Sequence, residues 1–227
     1  RNEELDQFAY VTSHDLKAPL RAISSLASWI EEDLGDRLPP ENAEQFELLK
    51  SRTHRMESLI NGLLEYSRAG RAKQQFGQVD TQSLLQEIIE SILPLASNIA
   101  VEITTPMPTL ETDKTPLMQV FSNLISNAIK HHDKADGRVQ IAGRDQGDFF
   151  EFEITDDGPG IEPAYHQKIF TIFQTLQSRD DFESKGIGLS IVRKNVTAAG
   201  GQISVQSEPG KGATFRFTWP KSSHDMS

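Results

Sequence analysis

Apolar residues fall at Leu5, Phe8, Val11 or Thr12, Leu16, Ile23, Leu26, Ile30 and Leu34. Spacings of three, four or seven put them on one stripe of a helix. The breaker cluster Gly35-Asp36-Arg37-Leu38-Pro39-Pro40 ends that helix. A second stripe follows at Phe46, Leu49, Met56, Ile60 and Leu63, widened by Leu59 and Tyr66, and runs out at Ala69-Gly70. Between the stripes the surface is charged: Glu31, Glu32, Asp33, Glu41, Glu44, Arg52, Arg55 and Glu57. A helical hairpin cannot bury both stripes by itself. Pairing with a second copy into a four-helix bundle would do so, and the alternative is a monomeric hairpin packed on the next domain.

Beyond a polar stretch at Lys73 to Gln75 the periodicity changes. Phe76 to Asp80 predicts a short strand, with Thr81 capping a helix from Ser83 to Leu95. Strands follow at Val101 to Thr104 and Thr109 to Glu111, then a helix from Thr115 to His132. Two alternating strands, Arg138 to Arg144 and Phe149 to Thr155, join through Asp145-Gln146-Gly147-Asp148. A helix from about Ile187 to Ala199 and strands at Gln202 to Gln206 and Ala213 to Trp219 complete the set. Runs of strands with helices to one side predict an α+β sandwich rather than a doubly wound sheet.

Composition narrows the function classes. The formal charge of −10 across 227 residues argues against nucleic-acid binding driven by phosphate neutralisation. Cysteine is absent, which excludes disulfides and thiolate metal sites and suits a cytoplasmic location. No apolar run approaches the roughly 20 residues of a membrane span, and no signal peptide is visible. The chain opens on Arg1 in what is already helix, so it reads as a fragment of a longer protein.

Ser13-His14-Asp15-Leu16-Lys17-Ala18-Pro19-Leu20 places a histidine off the stripe held by Leu16. Asp15 stands beside it as a partner for one ring nitrogen, which would leave the other outward as a nucleophile. Pro19 removes a helical hydrogen bond one turn on, so a kink is expected there. A surface His beside a surface Asp is the other reading of the same residues.

Four clusters in the second part suit a nucleotide. Asn123, Asn127 and Lys130 share a helical face; amide oxygens can ligate Mg²⁺ beside phosphates, and a lysine can meet a phosphate oxygen. Asp156-Asp157-Gly158-Pro159-Gly160-Ile161 ends a strand, and a carboxylate there can accept from the exocyclic amine of adenine, although a plain Asp-Gly turn has the same pattern. Lys185-Gly186-Ile187-Gly188-Leu189 opens a helix whose N-terminal amides can hold phosphate. Gly210-Lys211-Gly212-Ala213-Thr214 turns into the last strand, where Thr214 could reach a phosphate or ring. No Gly-x-x-x-x-Gly-Lys-Ser/Thr is present, so this is not a P-loop enzyme.

In this order the clusters resemble the N, G1, G2 and G3 boxes of sensor histidine kinases. Phe170-Thr171-Ile172-Phe173 resembles their F box, and the segment around His14 resembles the H box, in a style similar to the phytochrome-related members. The resemblance implies a dimerisation and phosphotransfer domain at 1–72, a linker at 73–75, a catalytic ATP-binding domain at 76–221 and a tail at 222–227. That second domain would belong to the gyrase, heat-shock chaperone and histidine kinase superfamily. His14 would accept the γ-phosphoryl group of ATP, with Asp15 as base or orienting acid. Asn127, supported by Asn123, would hold Mg²⁺; Lys130 and His131 would flank the phosphates, His131 standing where the family more often has Tyr. Asp156 would bind the adenine amine, Gly158 and Gly160 would shape that pocket, and Ile161, Phe170, Phe173, Leu189 and Thr214 would belong to the nucleotide site. Residues 174–185, ending at Lys185, would form a mobile lid hinged at Gly186 and Gly188. The implied partners are a second copy, the receiver domain of a response regulator and an upstream sensor domain.

Three further readings compete with this one. ATP-hydrolysing clamps of the same superfamily carry a water-activating Glu where Asn123 stands, and Asn cannot act as that base. A catalytically silent dimeric scaffold is disfavoured by the intact boxes, and a serine or threonine kinase on the same fold by the intact H box. Members with strong phosphatase activity carry Thr or Asn four residues after the histidine. Ala18 occupies that position here, which implies weak phosphatase activity.

Overall fold

The computed structural model describes residues 2–70, 75–93, 98–134, 136–174 and 186–221; the side chains of 2–12, 14 and 36 lie outside the description. Cα proximity divides the chain into residues 1–68 with 175–187, and residues 69–174 with 188–227.

In the first unit α1 (Asn2–Leu34) and α2 (Pro40–Arg68) are joined by a 3₁₀ turn at Gly35–Arg37. Helix α1 continues through Pro19 as one element. The two helices are tied by Lys50 to Glu31 at 2.7 Å and Arg21 to Glu57 at 3.2 Å. On α1 the residues that turn from solvent include Leu20, Ser24, Ala27 and Glu31, three or four apart. The expected stripe lies on the next face round and is uncovered in the single chain: Leu16, Ile23, Leu26 and Ile30 are exposed, and Trp29 beside them is 60% exposed. On α2, Leu49 and Met56 are exposed as well. An apolar face of this length is what a monomer ordinarily avoids.

The second unit is a five-stranded sheet with helices on one face. Its strands are β2 (Ala100–Ile103), β4 (Arg138–Gln146), β5 (Phe149–Asp156), β6 (Ile203–Ser207) and β7 (Ala213–Pro220), in the order β2-β4-β5-β7-β6. Only β2 and β4 run parallel. A two-stranded antiparallel ribbon pairs β1 (Phe76–Asp80) with β3 (Thr109–Asp113). The helices are α3 (Thr81–Ile92), α4 (Lys114–Lys130) and α5 (Gly188–Ala198). The cap of α3 is Asp80, whose side chain accepts from Gln82 N at 3.0 Å, and not Thr81. A carboxylate one residue earlier reaches the free amides, while the Thr81 hydroxyl is drawn to the carbonyl of Pro108.

The core lies between α4 and the sheet. Phe121 of α4 meets Phe152 of β5 edge-on at 5.1 Å and Phe217 of β7 at 5.3 Å, and all three are fully buried. Trp219 buries its ring beside them and satisfies its indole N–H on Thr112 at 2.9 Å. Truncating Phe152 to Ala is expected to cost about 3–5 kcal/mol, read as a lower chemical-denaturation midpoint of the unit that holds it; a shift of less than about 1 kcal/mol would contradict this packing account.

Candidate functional site

Asp156 is the last residue of β5 and pairs in register with Ala213, the first of β7. Both belong to the sheet face that carries Phe152, Ile154, Phe215 and Phe217, so the half-buried carboxylate lies on the helix side of the sheet. Its Oδ1 accepts from Gly158 N at 3.0 Å and Ala213 N at 3.3 Å. Burial pushes this carboxyl above the usual carboxylate range, against the pull of those two amides. A desolvated acceptor at the end of a strand suits an exocyclic amine.

The loops around Asp156 are locked together. Ile161 N donates to Ser207 Oγ at 2.8 Å, Ser207 Oγ donates to the Gly212 carbonyl at 2.6 Å, and Gly210 N donates to the Pro159 carbonyl at 2.7 Å. Two glycines make this closure possible. Gly160 has φ +72° and a Cβ there would stand 2.1 Å from Glu208 O; Gly212 has φ +78° and would meet Asp156 O at 1.9 Å. Any side chain at either would drive the two loops apart.

Helix α4 brings Asn123, Asn127 and Lys130 to one face, starting from the cap that Asp113 places on Thr115 N at 3.0 Å. The Asn123 amide is oriented: its Nδ2 donates to the Gln119 carbonyl at 2.8 Å, which turns the oxygen outward. A Cβ on Gly188 would lie 2.8 Å from that oxygen, so the absence of a side chain lets the start of α5 approach α4. An amide oxygen facing a helix N-terminus, with Asn127 and Lys130 following on the same face, is a donor set suited to Mg²⁺ and phosphate. His131 caps α4, its N–H reaching the Asn127 carbonyl at 3.1 Å.

Phe170 ends a 3₁₀ turn, is buried, and meets Phe215 edge-on at 6.3 Å. Phe173 is exposed with φ +64°, a strained setting for an aromatic residue. Ile161 and Leu189 pack partly buried against the core. Gly186 has φ +63°. Lys185 and the rest of the proposed lid through residue 175 lie outside the described residues, as do the tail 222–227, linker positions 73–74, Leu95 and the His14 side chain; Asp15 is exposed on α1.

Thr214 is placed elsewhere than the sequence reading had it. The strand alternates, so Ala213 and Phe215 face the helices and Thr214 faces the other side, where its hydroxyl lies 3.0 Å from that of Thr155. Ala213, not Thr214, stands beside Asp156. The alternation of Ala213, Phe215, Phe217 and Trp219 already carries that signal.

Sequence reasoning also missed Ser207 and the pair His132 and Asp157, whose link spans 25 positions. Asp157 is held well below the usual carboxylate range, chiefly by the Arg138 amide and further by Lys134 and His132. Its folded pKa is therefore depressed. The stability it contributes is complete above the ordinary Asp range and drains away as pH falls through that range toward the folded value. Asp157→Asn is expected to flatten the acid-side loss of unfolding free energy below about pH 4; acid profiles of the two proteins that run parallel would contradict this.

Residues 4–72 match the model of the His Kinase A (phospho-acceptor) domain, and residues 112–223 match that of the histidine kinase-, DNA gyrase B- and HSP90-like ATPases. Cyanobacterial phytochrome B of a Nostoc species is 38% identical over 225 residues, which cover 96% of this chain and 29% of that protein. The phytochrome-like protein Cph1 of a Synechocystis species is 33% identical over 220 residues, again 96% of this chain and 29% of the relative. The chain thus spans less than a third of the length of these relatives. Among solved structures, full-length ShkA in complex with AMPPNP aligns with a TM-score of 0.69 at 28% identity, over 94% of this chain and 45% of that one.

Proposed function

Because the chain belongs to the sensor histidine kinases, we propose that it transfers the γ-phosphoryl group of ATP to His14 and passes it on to an aspartate of a receiver domain. The observation that carries this reading is the joining of two arrangements in one unit: the desolvated carboxylate of Asp156 held by two locked loops, and the oriented Asn123 oxygen at the start of α5.

In this reading Asp156 accepts from the adenine amine, and Gly158 and Gly160 let backbone approach the ring. Lys130 meets the phosphates, with His131 beside it. Asn127, with Asn123 next to it, would hold Mg²⁺ through its amide oxygen. When bound, the ion supplies neutralisation of charge on the phosphate oxygens. Asp15 takes the proton of one His14 ring nitrogen as partner, leaving the other lone pair to attack phosphorus in line with the departing ADP oxygen. The uncovered stripe of Leu16, Ile23, Leu26 and Ile30 supports a homodimer through the hairpin.

No described helix is long and apolar enough to cross a membrane. A cytoplasmic setting with a sensor domain upstream is the arrangement we propose for the whole protein.

Incubation with Mg²⁺ and ATP tests the reading: label in the γ position is expected to enter the protein and label in the α position is not. Equal incorporation of both, or of neither despite measurable ATP binding, would overturn it. Ala18 is exposed on α1 and has no polar group to position a water near the phosphoryl group. Slow dephosphorylation of a phosphorylated receiver is therefore expected, and Ala18→Thr should raise the rate; a fast rate in the unaltered protein would contradict this.

A further inference from the structure

The loop after α4 carries a histidine that the reaction as described does not use. The His132 side chain is 0% exposed, and its Nε2 lies 2.8 Å from Asp157 Oδ1. Its Nδ1 accepts the amide N–H of Lys134 at 3.2 Å. With Nδ1 placed to accept, Nε2–H is the ring donor to Asp157.

Asp157 gathers further donors. Arg138 N reaches the same Oδ1 at 2.7 Å, Lys134 Nζ reaches Oδ2 at 3.0 Å, and Asp157 N returns a bond to the Arg138 carbonyl at 3.2 Å. A Cβ on Gly137 would stand 2.2 Å from the His132 ring, so only glycine lets the chain close over the imidazole at that point. The loop from His131 to Arg138, the first residue of β4 and the end of β5 are thereby fastened to one carboxylate. The next residue back is Asp156.

Two adjacent aspartates thus have opposite environments. Asp157 is saturated with donors from the segment between α4 and β4, while Asp156 is turned to the helix side of the sheet and meets only two backbone amides among the described bonds. A carboxylate that reads a ligand must be held to within a fraction of an ångström by groups that do not themselves touch the ligand.

We propose that His132 is a positioning residue for the adenine site: through its hydrogen bond to Asp157 it fixes the end of β5 and so the placement of the Asp156 carboxylate. This rests on the reading of Asp156 as the acceptor of the adenine amine. It extends the site to a side chain in the loop following the N-box helix, and it accounts for Gly137 as well as for His132.

The test compares His132→Leu, His132→Gln and Asp156→Asn with the unaltered protein. KM and kcat for autophosphorylation are measured with ATP and with the purine riboside triphosphate that lacks the 6-amino group. Leu removes the donor to Asp157; Gln can present an N–H near the position of Nε2. His132→Leu is expected to raise KM for ATP about tenfold with kcat held within about twofold, and to shrink the preference for ATP over the analogue. His132→Gln should restore KM to within about threefold of the unaltered protein. A merely structural role would lower the active fraction, and so kcat for both nucleotides, without moving KM or the preference. That outcome, or unaltered KM and preference in His132→Leu while Asp156→Asn loses both, would overturn the inference. If Asp156→Asn itself keeps the full preference for ATP, the reading of Asp156 fails first, and the inference with it. Should His132→Leu fail to fold, Asp157→Asn keeps the imidazole and the shape while weakening the same link, and the same KM readout decides.

Discussion

Asp156→Asn is expected to weaken ATP binding by about ten- to a hundredfold, the value of a hydrogen bond to a charged group. Asn fills the same space and its oxygen can still accept from Gly158 N and Ala213 N, so the locked loops survive. What changes is the second atom, which turns from an acceptor into an N–H₂ donor facing the donor on adenine. Titration calorimetry on the unaltered and altered proteins reads the difference, and equal affinities would contradict the assignment. The buried setting adds a pH signature. Burial raises the pKa of Asp156, so as pH falls the acceptor is protonated sooner than an ordinary Asp would be, and ATP affinity should fall on the acid side in step.

His14→Gln is expected to remove phosphate incorporation entirely while leaving ATP affinity unchanged. Glutamine has no nucleophilic lone pair comparable to that of imidazole, so nothing at that position can attack phosphorus. The residues proposed to meet the adenine and the phosphates, Asn123, Asn127, Lys130, Asp156, Gly158 and Gly160, lie within one unit that has its own core. Their affinity for ATP is therefore independent of residue 14. Incorporation that persists in His14→Gln would mean that another residue is the acceptor. Loss of ATP binding in the same variant would mean that the two functions are not separable as described.

The helical stripes, the breaker at Gly35 to Pro40 and the alternation of β4, β5 and β7 were legible because each is a local period that burial on one face enforces. The nucleotide clusters were legible for a related reason: close backbone approach demands glycine at fixed offsets, as at Gly160 and Gly212. Contacts made across long separations were not legible in the same way. Ser207 is one serine at a strand end until β7 returns Gly212 and the other loop returns Ile161 to its hydroxyl. His132 resembles its neighbour His131 in the sequence, and only the return of β5 gives it Asp157. The choice of Thr214 over Ala213 failed for a simpler reason. A hydroxyl drew attention to chemistry where the apolar alternation of the strand had already fixed which residues face the helices. The stripe of α1 was found, but its residues face outward in the single chain. Periodicity locates an apolar face without saying what covers it.

His14 is proposed as the residue that receives the phosphoryl group of ATP. The most direct measurement is the chemical character and position of the phosphate after incubation with Mg²⁺ and ATP, by acid and alkali stability followed by peptide mapping. An acid-labile, alkali-stable phosphate is expected on the peptide that contains Ser13, His14 and Asp15. An acid-stable phosphate on a serine or threonine, or a labile one that maps to a peptide without His14, would contradict it.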